Sequence, residues 1–129
     1  MQRIVPMLPY ADAAAAIAFL CRAFGFEERF RFDMPDGRVG HAELALGDDV
    51  VMVASVWREG GLASPLDLPA LHAQLYCRVD DVDAHFARAR AAGATLVGAP
   101  EDQEHGSRTY RALDPEGHRW IFAGPLRGS

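Results

Sequence analysis

The residues of this chain best suited to chemistry are a histidine and a glutamate two positions apart, in a stretch that predicts a β-strand. His41 and Glu43 alternate with Ala42 and Leu44, and because successive side chains of a strand point to opposite faces, His41 and Glu43 share one face. An imidazole beside a carboxylate can transfer a proton, bind a metal ion or hydrogen-bond a ligand. Gln74, on a later strand, is a third candidate. Ligand contact, a structural pair and catalysis all remain open.

Aromatic side chains predict a surface on which a flat ligand stacks. Phe30 and Phe32 share one face of a predicted strand, and Trp57 opens the irregular segment after the first half of the chain. Together with Tyr76 and Tyr110 they form a candidate stacking wall, since offset aromatic pairs gain about 0.5–1.5 kcal/mol beyond area burial. The alternative for the two phenylalanines is a place in the core or in a dimer interface.

Three arginines add candidate donors for a ligand carboxylate or sulfate. Arg78, Arg108 and Arg111 are expected near the same groove, and a guanidinium matches such anions with two parallel hydrogen bonds. The alternative is that one of them pairs with Glu43. Among the other histidines, we expect His85 at a solvated helix position and His118 in a turn.

Composition excludes several classes of partner. The chain has 129 residues, the size of one domain, a net charge of −5 and 13 cationic side chains, all of them arginine. A negative net charge disfavours a nucleic-acid backbone or an anionic membrane as partner, and no apolar run reaches the ~20 residues that span a bilayer. Cys21 and Cys77 lie in apolar elements, as expected of reduced core residues. We therefore expect a cytoplasmic protein with no nucleic-acid or membrane partner.

The elements that must position these residues form an internal repeat. In each half a short apolar strand runs into an aspartate and then a helix that stops at a glycine; Asp12 and Asp80, like Gly25 and Gly93, are 68 positions apart (80 − 12; 93 − 25). A half of about 60 residues is marginal alone, so the two halves must share a core. The order βαβββ, found twice, predicts an α+β fold whose two curved sheets form an open barrel with the helices outside.

The predicted boundaries follow from turn signals and apolar periodicity. One domain of residues 1–129 is expected to contain repeat units at about 3–56 and 72–124, joined by a linker at about 57–71. The first unit has predicted strands at 4–10, 26–34, 39–46 and 50–56 and a helix at 13–24. The second has strands at 72–79, 95–97, 108–113 and 119–123, a helix capped by Asp80 or Asp81, and a flexible loop at 100–106.

Alternation along the strands assigns side chains to the two faces of each sheet. Ala42 and Leu44 would face the helices, whereas Gln74, Tyr76 and Arg78 would point into the groove. Two aromatic residues of the last strand, Trp120 and Phe122, would pack under a helix, which leaves Arg119 and Ile121 on the groove side.

With these features, the chain resembles the vicinal oxygen chelate superfamily, which comprises the glyoxalase, bleomycin-resistance and extradiol dioxygenase proteins. The resemblance covers almost the whole chain and rests on these motifs, the last two of which are similar to the bleomycin-resistance-like branch: Pro6-Met7-Leu8-Pro9-Tyr10-x-Asp12, Ala23-Phe24-Gly25-Phe26, His41-Ala42-Glu43-Leu44, Val79-Asp80-Asp81-Val82-Asp83, Gly106-Ser107-Arg108-Thr109-Tyr110 and Asp114-Pro115-Glu116-Gly117-His118-Arg119-Trp120.

The resemblance also implies where a metal ion would bind. In the metalloenzymes of the superfamily, His, Gln or Glu side chains from the first and last strands of each unit bind one divalent ion. The matching positions here hold Val5, Met52 or Val53, Gln74 and Ile121. Of these residues, only Gln74 has a side-chain atom that can bind a metal ion, whereas a catalytic metal site needs about three protein ligands. We therefore expect no metal ion and no other cofactor.

The resemblance and the missing ligand set favour a binding protein over an enzyme. We expect a bleomycin-resistance-like homodimer with two grooves that sequesters a small, partly aromatic molecule such as a peptide antibiotic. No residue is assigned to catalysis, and the expected ligand-binding residues are His41, Glu43, Gln74, Tyr76, Arg108, Tyr110, Ile121, Trp57, Phe32 and Met7. The alternative is a divalent-metal-dependent lyase or isomerase of the glyoxalase type with a non-standard ligand set that includes His41 and Glu43.

Overall fold

The computed structural model describes residues 2–127, so residue 1 and residues 128–129 of the predicted domain lie outside the described residues. Two βαβββ units follow one another. The first contains β1 (Met7–Tyr10), α1 (Ala13–Phe24), β2 (Glu27–Asp33), β3 (Val39–Leu46) and β4 (Asp49–Ser55). The second contains β5 (Leu75–Arg78), α2 (Val82–Ala91), β6 (Thr95–Asp102), β7 (Arg108–Leu113) and β8 (Arg119–Gly124). Within residues 2–127, no helix has the length and apolar character needed to cross a membrane.

Both helices begin at an aspartate cap, as local sequence signals predict; α1 also ends at the predicted glycine, whereas α2 ends at Ala91, with Ala92 rather than Gly93 as its C-cap. The Asp12 carboxylate accepts a hydrogen bond from the backbone N–H of Ala15 and caps α1, which ends at Gly25 in the left-handed conformation (φ 81°). Of the two candidate caps for α2, Asp81 is the one that accepts from a first-turn N–H, that of Ala84.

Each unit forms one four-stranded sheet with the same topology. The strand order is β1-β4-β3-β2 in sheet 1 and β5-β8-β7-β6 in sheet 2. The first strand of each unit pairs in parallel with the last, and the other pairs are antiparallel. This confirms the α+β fold of two βαβββ units expected from the repeat. The two sheets remain separate in the chain and do not close a barrel.

A single core joins the two units. Residues of α1 and α2 pack together with the helix-side residues of both sheets. Phe24, at the end of α1, lies at the junction, with its ring centroid 5.8 Å from that of Trp120 and 4.8 Å from that of Phe122. Burial of these aromatic rings between the units explains why neither half needs a core of its own. We call the side of each sheet opposite the helices its open face.

The strands β1, β5 and β6 differ most from their predicted lengths. β1 and β5 are short, and each pairs with only one neighbouring strand, at the edge of its sheet. β6 continues to Asp102, into the first part of the predicted loop at 100–106, because Glu101 pairs with Thr109 beyond an irregularity that follows Val97. A register shift of this kind allows a strand to resume pairing past a glycine and a proline that break its pattern.

The acidic turn between β7 and β8 is buried at the junction of the units. The Asp114 carboxylate is 3% exposed and accepts hydrogen bonds from the Tyr10 hydroxyl at 2.5 Å and from Trp120 Nε1 at 3.1 Å. It also accepts from the backbone N–H groups of Glu116 and His118. A carboxylate removed from water needs such donors, and here they come from both halves of the chain.

Glu116 makes a second connection from the same turn. Its carboxylate accepts hydrogen bonds from the backbone N–H groups of Ala11 (2.6 Å) and Asp12 (2.7 Å) and from the Ser64 hydroxyl (2.5 Å). One side chain therefore fixes both the corner between β1 and α1 and the segment that connects the units. The matching turn of the first unit carries Asp48 and Asp49, which are exposed.

Candidate functional site

The open face of sheet 1 carries the polar pair singled out in the sequence, surrounded by apolar side chains. In the strand register, Glu43 lies between Phe30 on β2 and Met52 on β4. Met7 on β1 lies on the other side of Met52. His41 occupies the neighbouring row, opposite Phe32. Ala42 and Leu44 are fully buried on the helix side, as the alternating pattern of β3 predicts.

His41 and Glu43 are in direct contact. His41 Nε2 lies 3.1 Å from Glu43 Oε2, and because an ionised carboxylate can only accept, the imidazole donates this hydrogen bond. The two side chains are 32% and 36% exposed, and the ring centroids of His41 and Phe30 are 5.8 Å apart. The pair can offer a ligand the second imidazole nitrogen and the second carboxylate oxygen.

Large apolar side chains on this face are unusually exposed. Met7, Phe30 and Phe32 are 66%, 50% and 55% exposed, although hydrophobic side chains of a monomeric protein are rarely exposed in a contiguous patch without a binding role. A small cavity of about 60 Å³ lies beside His41 and includes Met7 and Leu62 in its wall.

Trp57 stands where the connecting segment leaves sheet 1. Its backbone pairs with that of Leu62 through two hydrogen bonds of 2.9 Å, and its side chain is 57% exposed. This small hairpin brings Leu62 to the cavity beside His41. Trp57 was expected among the ligand-binding residues, whereas Leu62 was not, because the pairing inside the segment has no periodic pattern in the sequence.

The open face of sheet 2 is lined by different side chains. Tyr76 on β5 lies opposite Ile121 on β8, which in turn lies opposite Arg111 on β7. On either side of this row, Arg78 lies over the Tyr76 ring, 5.8 Å from its centroid, and Arg119 donates from Nε to the Gln74 side-chain oxygen at 3.0 Å. The predicted groove residues Gln74, Tyr76 and Ile121 therefore lie together.

A larger cleft adjoins this face. It has a volume of about 400 Å³ and lies between the N-terminal segment with the β3–β4 hairpin and the strand β5. Its walls include Ile4 and Val50 on one side and Gln74, Tyr76 and Arg78 on the other. A cleft of this size lies in the range that small-molecule sites occupy.

Two predicted site residues lie on the other side of sheet 2. Tyr110 is 2% exposed and packs under α2 against Phe86 and Phe122. Arg108 pairs with the Asp83 carboxylate of α2 at 3.0 and 3.1 Å. The prediction that they line the groove is wrong, because the alternation of β7 puts Arg108, Tyr110 and Ala112 on the helix side and Thr109, Arg111 and Leu113 on the open face.

His85 is also placed differently from the prediction of a solvated helix position. Its Nε2 donates to the Phe24 carbonyl at 2.8 Å, so its Nδ1 accepts from the Tyr110 hydroxyl at 2.6 Å. Burial, which disfavours the charged form, lowers the pKa of this imidazole, although its hydrogen bond to Phe24 acts in the opposite direction. His85 is therefore a neutral junction residue.

His118 lies in the turn as predicted, and its Nε2 donates to the Pro9 carbonyl.

The open faces do not supply a donor set for a divalent metal ion. The first and last strands of each unit present Met7 and Met52 in sheet 1 and Tyr76 and Ile121 in sheet 2. Thioether and alkyl groups do not replace the carboxylates and imidazoles that such ions need, and the Gln74 oxygen already accepts from Arg119. Among residues 2–127, no three His, Cys, Asp or Glu side chains are grouped so that they could hold a metal ion.

Comparison with a protein-family model gives a match over most of the chain. The model described as "Glyoxalase/Bleomycin resistance protein/Dioxygenase superfamily" matches residues 3–122. Uncharacterised proteins of Mycobacterium bovis and Mycobacterium tuberculosis are each 40% identical to this chain over an alignment of 129 residues. The alignments cover 95% of this chain and 82% and 74% of those two proteins, respectively.

Solved structures share the fold. TioX from Micromonospora sp. ML1 is 35% identical, with a TM-score of 0.76 over 98% of this chain and 100% of that one. A bleomycin resistance determinant encoded on the transposon Tn5 is 24% identical, with a TM-score of 0.70 over 97% and 98% of the two chains. The fosfomycin resistance protein FosX from Listeria monocytogenes is 13% identical, with a TM-score of 0.71 over 98% and 95%.

Proposed function

Because this chain belongs to the glyoxalase/bleomycin resistance/dioxygenase superfamily, we propose that it binds and sequesters a small, partly aromatic molecule and does so without a metal ion. The ligand-binding side chains are those of the two open faces and their rims. From the set expected in the sequence, the proposed site retains Met7, Phe32, His41, Glu43, Trp57, Gln74, Tyr76 and Ile121, to which Phe30 is added.

The observation that carries the proposal is the exposed aromatic surface around the His41–Glu43 pair. Phe30 and Phe32 flank the pair on β2 and are at least half exposed. A flat ligand laid against them would remove this apolar area from water, and the pair would supply a donor or acceptor that fixes its orientation. Apolar walls with a few placed polar groups are typical of small-molecule sites.

The donor set supports binding over metal-assisted chemistry. A divalent ion that activates a substrate needs about three protein ligands and an open position. The strands that would supply them carry methionine, tyrosine and isoleucine instead. We therefore assign no catalytic residue, and we treat the His41–Glu43 pair as a polar anchor.

The proteins that share the fold suggest the class of ligand. Two of them are named as resistance proteins, one against bleomycin and one against fosfomycin. Extension of that role to this chain is part of the proposal, with a peptide antibiotic as the example expected from the sequence. We also propose a cytoplasmic homodimer, since a second copy would cover the open faces and turn them into two grooves.

Native mass spectrometry of the untagged protein tests the proposal. Zn²⁺, Ni²⁺, Mn²⁺ and Fe²⁺ are offered in turn, and bleomycin and fosfomycin are then titrated in the absence of metal. We expect a spectrum unchanged by the metals and a complex with an antibiotic that a Phe32→Ser variant weakens. A matched control is Leu66→Ser, which removes an exposed apolar side chain from the connecting segment.

Binding of one metal ion per chain that is lost in a His41→Ala variant would contradict the proposal and would favour the glyoxalase-type lyase or isomerase. An equal effect of the Phe32→Ser and Leu66→Ser variants on antibiotic binding would contradict the placement of the site on sheet 1.

A further inference from the structure

We infer that the open face of sheet 2 is an anion-binding surface, at which Arg78, Arg111 and Arg119 bind the carboxylate or phosphate group of a ligand that also has an apolar part. This inference rests on the proposed function and adds the charge of the ligand to it. It is carried by the placement of three arginines around one apolar residue on one face, none of which forms an ion pair with a carboxylate within the part of the chain that the structure describes.

Strand register brings the three arginines around one apolar residue. Arg111 lies directly opposite Ile121, and Arg119 precedes Ile121 by two positions on the same strand and face. Arg78 lies opposite Ala123, which follows Ile121 by two positions. Facing residues on paired strands are about 5 Å apart and next-nearest residues on one strand about 7 Å. The three arginines therefore border Ile121 on the same face of sheet 2.

The charges of these arginines are available to a ligand. Arg78 contacts the Tyr76 ring and Arg119 the Gln74 amide, both neutral groups, and no carboxylate lies within ion-pair distance of Arg111 in residues 2–127. Elsewhere on the chain, Arg29, Arg38 and most other strand or turn arginines have acidic partners. Three unneutralised cations on one face contrast with the net charge of −5 and make an anion the favoured occupant.

The surroundings of the arginines select a small ligand with an apolar part. Ile121, Tyr76 and Val97 form an apolar row across the four strands, with Arg111 between Ile121 and Val97. Tyr76 and Arg78 also line the cleft of about 400 Å³ next to β5. An aromatic carboxylate can place its ring along this row and its charged group between the guanidiniums. A nucleic-acid backbone would instead require a basic surface of larger extent.

The test is a titration that separates the charge of the probe from its shape. The chain, labelled with ¹⁵N, is titrated with 2-naphthoate, with the neutral 2-naphthamide and with inorganic phosphate, and backbone amide shifts are followed. We expect naphthoate to shift the amides of β5, β7 and β8 and to bind more tightly than naphthamide. An Arg111→Gln variant should lower the affinity for naphthoate about tenfold, as expected for the loss of one charge-assisted contact. The affinity for naphthamide should stay unchanged.

Arg90→Gln is the matched control, because Arg90 is an exposed arginine of α2 with no acidic partner among the described residues; it should leave naphthoate binding unchanged. Equal affinities for naphthoate and naphthamide, or equal effects of the two variants, would overturn the inference. If naphthamide binds at sheet 1 and naphthoate binds no more tightly than naphthamide, the inference is overturned but the proposed function is not. Phosphate binding that matches naphthoate would identify the charge, rather than the ring, as the recognised group.

Discussion

At the scale of single residues, His85 shows how a histidine can serve the fold rather than the site. Its two ring nitrogens are both used, one by the Phe24 carbonyl of the first unit and one by the Tyr110 hydroxyl of the second. Its ring also packs 4.1 Å from that of Phe122. Protonation would remove the acceptor that Tyr110 uses and place a charge in a partly buried junction, so the neutral form is favoured.

This environment predicts that the protein loses stability in mild acid. The unfolded chain has a His85 pKa of about 6.5, whereas burial lowers the pKa in the folded protein. As the pH falls below about 6.5, the unfolded state takes up the proton first, so the free energy of unfolding decreases until the lower folded pKa is passed. Urea unfolding at about pH 7.5 and about pH 5.5 should show this decrease, and a His85→Gln variant should show less of it.

The control for this prediction is His105→Gln, since His105 lies exposed in the turn before β7. That variant should keep the full pH dependence of the wild type. If the dependence is equally large in the His85→Gln variant, another group is responsible, and His85 does not titrate differently in the folded and unfolded chains.

At the scale of elements, the two acidic turns have different roles although they occupy matching places in the repeat. The turn between β3 and β4 is exposed, whereas that between β7 and β8 is buried and connects the units through Asp114 and Glu116. The difference arises because only the second turn faces the corner between β1 and α1, where backbone N–H groups need acceptors. Repetition of a sequence motif therefore does not guarantee repetition of its environment.

We predict that Glu116→Gln strongly destabilises the fold. The Glu116 carboxylate accepts hydrogen bonds from three donors, on Ala11, Asp12 and Ser64. In the glutamine variant, the side-chain NH₂ group would face at least one of these donors, and that hydrogen bond would be lost. Hydrogen bonds to charged groups are worth about 1.5–3 kcal/mol each, so the free energy of unfolding should fall by about 2 kcal/mol or more. The measurement is urea unfolding at neutral pH.

Asp48→Asn, in the matching turn of the first unit, is the control, because Asp48 is exposed. Its effect should stay within about 0.5 kcal/mol. A similar small effect of both variants would show that the buried connection adds little to stability and would contradict this account of the turn.

At the scale of the whole molecule, the open faces of the two sheets differ in charge. Sheet 1 presents Glu43 among aromatic side chains, and sheet 2 presents three arginines. If a second copy covers these faces, an acidic aromatic wall can oppose a basic one, and both would line the same groove. Such complementarity favours pairing of unlike faces over like ones.

We therefore predict that the protein is a dimer whose dissociation increases with salt. Sedimentation velocity over a concentration series should show dimer at low ionic strength and an increasing monomer fraction at high ionic strength, since salt screens charges that remain in contact with water. A monomer at all concentrations and salt levels would contradict the dimer. A dimer that salt does not weaken would contradict the pairing of unlike faces.

The sequence by itself determined the order of helices and strands and the repetition of that order. The helix over residues 13–24, the strands 39–46 and 108–113 and the cap at Asp12 match the structure, because each depends on apolar periodicity and capping among neighbouring residues. The same local alternation correctly assigned His41, Glu43, Tyr76 and Ile121 to the open faces.

Only the tertiary structure decided which polar groups are buried and which are free for a ligand. Tyr110 and Arg108 were placed in the groove from their chemistry, but they lie against α2, whose position depends on the packing of the whole sheet. Asp114 and Glu116 find donors more than 100 positions away, at Tyr10, Ala11 and Asp12. Burial and hydrogen bonding join residues that are close in space and distant along the chain, and no local pattern in the sequence records that proximity.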